Sequence, residues 1–265
     1  MRSLPLVIAV LLAIPYASAT YITINSQLPE VYTNENFAQA KLTVSNTGDE
    51  AAFSVQSYFK LTDALEAPMV FIGKLDPEKQ VDTSFNFNIT KNILPGRYPV
   101  IILTEYADAN NYIFSAVSSS FLAYKERTSS EINGFLEDVQ IPKGGSTKAR
   151  LKIVSTDSED RNLTVGLFLP KELSYGKYDK NTLIKAGERK SVEVEISSLA
   201  ALQGSTYTVF AVVEYENGGK HYSSFSRGSV LITKNEGLFS TTLLGGAILI
   251  LAAAFFAYNM GRRKR

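Results

Sequence analysis

The sequence predicts an all-β fold, with two tandem Ig-like or fibronectin-like antiparallel β-sandwiches followed by one C-terminal transmembrane helix. The sandwiches are predicted because apolar and polar residues alternate along many short segments, and turn-forming clusters interrupt them about every eight to twelve residues. In one such segment Ala38, Ala40 and Leu42 alternate with polar neighbours, so one face of the strand must point to a core. The helix is predicted because a long apolar stretch near the C-terminus carries no charge.

The N-terminus has the three parts of a secretory signal peptide. Arg2 supplies the positive charge, residues 4–14 form the apolar region, and Ala17-Ser18-Ala19 is a small-residue cleavage site. We therefore predict a signal peptide over residues 1–19 that is removed after Ala19. The alternative is an uncleaved anchor, which is disfavoured because the apolar run is short for a bilayer of about 30 Å.

The transmembrane helix is predicted over residues 238–258, a stretch of about 21 residues that would span about 31 Å. The basic tail that follows, residues 259–265, ends in Arg262, Arg263, Lys264 and Arg265. Under the positive-inside rule this tail lies in the cytoplasm, so the bulk of the chain is extracytoplasmic and the protein is a single-pass type I protein of the cell membrane. Such a tail can also attract anionic lipid, but stopping transfer is its simpler role.

An internal repeat divides the segment between these signals. A constant offset of 109 residues carries Ala40 and Leu42 onto Ala149 and Leu151, and it also carries Glu105-Tyr106 onto Glu214-Tyr215. A one-residue slip is predicted at Phe53, which is matched with Leu163. We therefore predict one sandwich over residues 20–124, a polar linker over 125–130 and a second sandwich over 131–234. The second sandwich must lie close to the membrane, and the first is expected to be the distal head.

Each repeat carries a tyrosine at the same position of a corner, Tyr98 after Leu94-Pro95-Gly96 and Tyr207 after Gly204. In sandwich domains a tyrosine corner buries its ring and bonds its hydroxyl to nearby backbone. Tyr98 and Tyr207 are predicted to do this.

The pattern L-x-P-G-x-Y, followed by alternating apolar residues and E-Y and preceded by a strand ending in S-N-T-G, resembles the Ig-like repeats of the CARDB and NEW3 type in archaeal and bacterial surface proteins. The resemblance covers most of both sandwiches, although the second lacks the Pro-Gly pair. It implies adhesion, spacing or scaffolding rather than catalysis. A weaker resemblance is to the lumenal sandwich and anchor of translocon-associated membrane proteins.

The amino-acid composition excludes several classes of partner and catalytic site. The net charge of +1 gives no reason to expect a nucleic acid partner, and the absence of cysteine excludes disulfides, thiolate metal sites and cysteine nucleophiles. Only one histidine is present, His221, which is predicted to lie on a surface hairpin. We predict no enzymatic activity, no cofactor, no bound metal and no small-molecule substrate. The acids Asp157, Glu159 and Asp160 are expected to form a solvated turn, and calcium binding by their carboxylates is the weaker alternative.

Four residues are candidate sites for modification or partner binding. Asn88 and Asn162 begin N-x-S/T sequons and are predicted to point outward, so N-glycosylation is expected if the host glycosylates. Tyr175 and Tyr178 lie in a predicted irregular segment, and exposed tyrosines suit protein contacts.

Two functional hypotheses follow. The first is a membrane-anchored cell-surface protein that presents two Ig-like domains for adhesion, scaffolding or envelope spacing. The alternative is an accessory subunit of a membrane complex, such as a secretion or translocon-associated assembly. Both need a protein partner, at the surface or in the membrane.

Overall fold

The computed structural model describes residues 21–234, and within them the chain is all-β. The predicted β-sandwich fold is confirmed for this part of the chain. The predicted signal peptide, transmembrane helix and basic tail, with Arg262, Arg263, Lys264 and Arg265, lie outside the described residues. Between residues 21 and 234 no helix is long and apolar enough to cross a membrane.

The first half of the described chain forms nine strands, which we call unit 1. They are β1 (Ile24–Gln27), β2 (Val31–Thr33), β3 (Phe37–Asn46), β4 (Ala52–Lys60), β5 (Leu65–Glu66), β6 (Val70–Leu75), β7 (Gln80–Ile89), β8 (Gly96–Ala107) and β9 (Ile113–Tyr124). One sheet has the order β1-β3-β7-β5, and the facing sheet joins β2, β9, β8, β4 and β6.

The second half forms nine more strands, which we call unit 2. They are β10 (Ile132–Leu136), β11 (Val139–Pro142), β12 (Ser146–Ser155), β13 (Arg161–Phe168), β14 (Leu173–Tyr175), β15 (Asn181–Ile184), β16 (Arg189–Ser198), β17 (Thr206–Asn217) and β18 (Lys220–Thr233). One sheet has the order β10-β12-β16-β14, and the facing sheet joins β11, β18, β17, β13 and β15. The two units therefore share one topology, strand for strand.

The strand limits follow the sequence offset closely. β3 and β12 start at residues 37 and 146, and β7 and β16 start at residues 80 and 189, so both pairs differ by 109. β4 and β13 differ in detail, because β4 contains a bulge between Phe53 and Gln56 and Ser54 has a φ of 51°. After the bulge, Gln56 pairs with Glu105, and in unit 2 Thr164 pairs with Glu214. Gln56 and Thr164 are therefore equivalent positions. The predicted match of Phe53 with Leu163 is therefore wrong, and Val55 takes that place.

Each sandwich is held by its own core. In β12 the side chains of Ala149, Leu151 and Ile153 are buried, whereas the lysines and arginine between them point to solvent. Burying a leucine or isoleucine side chain in this way stabilises the fold by about 1.5–3 kcal/mol. Unit 1 repeats this pattern around Leu42 and Phe87, which are buried among the Phe59 and Phe85 rings.

The two units lie side by side. A third apolar cluster is built from Ile101 and Val117 of unit 1 and from Phe210 and Val212 of unit 2. These side chains belong to the β8–β9 and β17–β18 sheets, on the faces that point away from the two cores. The outer face of one sheet therefore packs on the outer face of the other.

The strand directions define the two ends of this pair. β8 and β18 run parallel where Gly96 pairs with His221, so both run from this bridge toward the same end of the molecule. We call the Gly96–His221 contact the joint, and we call the opposite end, where β18 finishes at Thr233, the exit end. The first sandwich is thus not stacked as a distal head above the second, because both units extend from the joint toward the exit end.

Candidate functional site

His221 lies at the joint and not on a surface hairpin, so that prediction is wrong. Its side chain is only 10% exposed, and its ring stacks on Tyr98 with the ring centroids 4.2 Å apart and the planes 5° from parallel. The ring Nε2 lies 3.1 Å from Glu214 Oε1. The histidine follows the Gly218-Gly219 turn, but unit 1 covers it.

Backbone contact at the joint depends on Gly96. Its φ is +148°, and a Cβ built on it would lie 2.1 Å from the His221 carbonyl oxygen and 2.7 Å from the His221 nitrogen. Real Cβ contacts are never so short, so only glycine allows the two chains to approach this closely. The His221 N–H donates to the Pro95 carbonyl at 2.9 Å and completes the contact.

The polar linker is ordered by the same contact. Thr128 is buried, its hydroxyl donates to the His221 carbonyl at 2.7 Å, and it accepts from the Arg97 N–H at 3.1 Å. The Ser223 hydroxyl donates to the Arg97 carbonyl at 2.7 Å. The linker therefore fastens the two units together and does not act as a free spacer.

A second group of polar contacts closes the interface nearer the exit end. The buried Glu172 carboxylate accepts hydrogen bonds from the backbone N–H and the hydroxyl of Ser115, both at 2.7 Å. Lys171 forms an ion pair with Glu105. With a polar contact at each end and an apolar cluster between them, the units pack together as one head.

Strand alternation predicts that Glu105 and Glu214 point outward, and each does point away from the core of its own unit. That face is covered by the other unit, so their side chains are only 13% and 20% exposed. Sequence reasoning missed this interface. The available signal was that β8 and β17 contain unbroken apolar runs, Val100–Leu103 and Val209–Val213, which are typical of strands buried on both faces.

Tyr98 and Tyr207 have buried side chains in equivalent corners. The Tyr98 hydroxyl donates to the Leu94 carbonyl at 2.8 Å, and the Tyr207 hydroxyl accepts from the Leu202 N–H at 3.0 Å. Burial raises the pKa of both phenols. How much each contributes to stability as a tyrosine corner stays a prediction.

The structure brings Tyr175 and Tyr178 together, 5.6 Å apart between ring centroids in an edge-to-face arrangement. Tyr175 ends β14 and is 43% exposed, whereas Tyr178 packs partly against the unit 2 core and its hydroxyl donates to the Val165 carbonyl at 3.3 Å. Burial raises the Tyr178 pKa. Residues 175–181 line an open groove of about 740 Å³, which we call the tyrosine groove.

Both sequon asparagines lie on strands. Asn88 is exposed on β7, and Asn162 is exposed on β13. The two sites are in different units, and glycosylation at either stays a prediction.

The loop acids Asp157, Glu159 and Asp160, the alternative calcium ligands, are engaged by other groups. Arg161 pairs with Asp157 at 2.6 Å and with Glu159 at 2.8 Å, and Asp160 accepts the Ala186 N–H at 2.9 Å. The Arg161 hydrogen bond lowers the pKa of Asp157 below its usual value. Over residues 21–234, no group of three His, Asp or Glu side chains is placed to hold a metal ion.

Comparison with known proteins gives only remote structural matches. No protein-family model and no curated protein matches the sequence. One structural match is the Escherichia coli alpha-2-macroglobulin activated by porcine elastase, at 11% identity and a TM-score of 0.33. The match covers 82% of this chain and 22% of the macroglobulin, so the chain spans about a fifth of that protein's length.

Two shorter proteins match along nearly their whole length. The YadV chaperone is 12% identical, with a TM-score of 0.33, over 78% of this chain and 98% of the chaperone. A protein of unknown function from Porphyromonas gingivalis W83 is 14% identical, with a TM-score of 0.31, over 77% of this chain and 98% of that chain. Matches this remote assign no function.

Proposed function

We propose that the protein is a membrane-anchored cell-surface interaction protein, whose two sandwiches form one rigid head outside the cytoplasm. The observation that carries the proposal is the interface between the units, with an apolar cluster between the joint and the Ser115–Glu172 contact. Two freely linked domains would have to lose their relative motion when they bind a partner. A head that is already rigid avoids that entropic cost.

The tyrosine groove is the surface that we assign to the partner. Tyr175 offers an exposed aromatic face, and Lys177, Asp179 and Lys180 surround it with charges of both signs. The segment is held at both ends, because the Gly176 N–H donates to the Glu195 carbonyl and the Val165 N–H donates to the Lys180 carbonyl. Exposed aromatic residues in an ordered setting are common anchors in protein interfaces.

In-cell photo-crosslinking tests this assignment. A photo-reactive phenylalanine analogue at position 175 should give a discrete crosslinked species with a protein partner. The same analogue at Phe135, an exposed aromatic position on β10 at the opposite edge of the sheet that holds Tyr175, is the matched control. Equal crosslinking at both positions, or none at either, would contradict a partner site at the groove. Crosslinks to an integral membrane protein that copurifies stoichiometrically in mild detergent would favour the accessory-subunit alternative.

A further inference from the structure

Two pairs of exposed apolar side chains lie at the exit end, outside the tyrosine groove. Exposed Tyr21 lies at the same end, because its carbonyl accepts the Asp49 N–H of the β3–β4 turn at 3.0 Å. Tyr112 and Ile113 are 67% and 69% exposed in unit 1, and Leu199 and Leu202 are 67% and 48% exposed in unit 2. Clustered exposed side chains of this kind usually mark a contact surface.

The strand directions place all four at one end of the head. The hairpin that holds Tyr112 follows the last residue of β8, and β8 runs from the joint toward the exit end. The loop that holds Leu199 and Leu202 precedes β17, next to the last residues of β18, because the Gly204 N–H donates to the Ile232 carbonyl at 2.8 Å.

Glu172 connects the two pairs. Its carboxylate accepts the Ser115 N–H of unit 1, and its carbonyl accepts the Leu199 N–H at 2.9 Å. Ile113 lies two residues before Ser115 on β9, so it shares the face that points to unit 2. The two units therefore present their exposed apolar residues side by side.

Both loops are ordered, so the exposure is built into the fold. In the unit 1 hairpin, Asp108 Oδ1 accepts the N–H groups of Asn110 and Tyr112, both at 2.9 Å. In the unit 2 loop, the Leu202 N–H donates to the buried Tyr207 hydroxyl. The equivalent hairpin of unit 2 is the short Gly218-Gly219 turn at the joint end, so the longer hairpin is particular to unit 1.

The chain itself indicates what covers this end. Lys234 is the last described residue, and four residue steps, about 14 Å at most, separate it from Leu238, where the predicted membrane span begins. Any anchor that starts there holds the exit end against the bilayer. Tyrosine is suited to the membrane interface because its ring is apolar and its hydroxyl can stay in water, and exposed leucine and isoleucine are suited to the acyl chains next to it.

We infer that the exit end of the head rests on the outer leaflet of the membrane that anchors it. The side chains inserted into the lipid interface are Tyr112, Ile113, Leu199 and Leu202. This inference rests on the membrane anchor proposed above. Exposed side chains of both charge signs lie at this end, with Lys143, Lys171 and Lys234 in unit 2 and Asp49, Glu78 and Lys79 in unit 1. The contact is therefore with zwitterionic lipid and is made through apolar side chains. Both units touch the membrane, and the tyrosine groove stays free for a protein.

The absence of tryptophan from the chain makes a depth measurement possible. The full-length protein would be reconstituted into phosphatidylcholine vesicles brominated on the acyl chains near the headgroup, because bromine quenches tryptophan fluorescence on contact. The variants Ile113→Trp and Leu202→Trp should each lose most of their emission and shift to the blue. The matched control is Phe37→Trp, an exposed position at the start of β3, at the joint end of unit 1, which should keep its emission.

A fourth variant separates the two proposals. Leu249→Trp lies inside the predicted span, so bromine deeper in the bilayer should quench it if the anchor is real. Quenching of Leu249→Trp without quenching of Ile113→Trp and Leu202→Trp would overturn the membrane contact and leave the anchor in place. If Leu249→Trp is not quenched, the anchor is wrong, and the membrane contact falls with it.

Discussion

The joint depends on one residue, and Gly96→Ala is the substitution that tests it. The added Cβ would lie 2.1 Å from the His221 carbonyl oxygen, so the backbones of β8 and β18 must separate by more than 1 Å to reach about 3.4 Å of ordinary contact. Four hydrogen bonds depend on this approach, those that link His221 with Pro95, His221 with Thr128, Arg97 with Thr128 and Ser223 with Arg97.

The expected destabilisation follows from that set. A typical hydrogen bond contributes about 1 kcal/mol net, so losing all four lowers the free energy of unfolding by about 4 kcal/mol. The matched control is Gly144→Ala, since Gly144 also has a positive φ, of 73°, but a Cβ there would meet nothing within 4 Å. The control should lose only about 1 kcal/mol, from backbone strain alone.

Denaturant unfolding of the full-length protein in detergent gives both values, and amide hydrogen exchange locates the effect. In Gly96→Ala the amides of His221 and Arg97 should exchange faster, whereas the core amides of β12 should be unaffected until global unfolding. Equal losses of stability in the two variants would refute the importance of close backbone approach at the joint.

Three further predictions concern single residues of the head. Tyr98→Phe and Tyr207→Phe should each lower the free energy of unfolding by about 1 kcal/mol, because each removes one corner hydrogen bond. The control Tyr112→Phe, at an exposed position, should change the stability little. Unaltered melting temperatures for Tyr98→Phe and Tyr207→Phe would show that the tyrosine-corner assignment is wrong. The Arg161 pair holds the pKa of Asp157 in the folded protein below the ordinary aspartate value of about 3.9. The ionised carboxylate therefore stabilises the fold above about pH 3.9, and this stabilisation is lost as the pH falls through the lowered pKa. Asp157→Asn should reduce the decline in stability during acid titration, and an unchanged acid profile would count against the Arg161 pair. If the host glycosylates, Asn88→Gln and Asn162→Gln should each reduce the mass of the mature protein by one glycan, whereas mass spectra that show only the substitution would exclude glycosylation.

Much of each sandwich could be predicted from local sequence, because the alternation of side chains in strands such as β3 and β12 determines which face is buried. The repeat with offset 109 correctly paired strands that turned out to be equivalent, since turns absorb most length differences. It failed at β4, where the Ser54 bulge adds a residue inside a strand rather than in a turn.

The arrangement of the units could not be predicted in the same way. His221 and Tyr98 are 123 positions apart in the sequence, and no local pattern links a histidine after a glycine turn to a tyrosine in another unit. The apolar residues Ile101 and Val212 occupy positions that alternation assigns to solvent, and this was the one local sign that those sheet faces are covered. The candidate partner surface was predicted in part, because Tyr175 is exposed but the Tyr178 ring contributes to the core.

Orientation across the membrane is the central claim, and labelling of single cysteines in intact cells tests it most directly, because the chain has no cysteine of its own. Lys148→Cys lies on an exposed position of unit 2, and Gly261→Cys lies in the predicted cytoplasmic tail. A membrane-impermeant maleimide should label Lys148→Cys in intact cells and label Gly261→Cys only after the cells are opened. Labelling of Gly261→Cys but not of Lys148→Cys in intact cells would contradict the account.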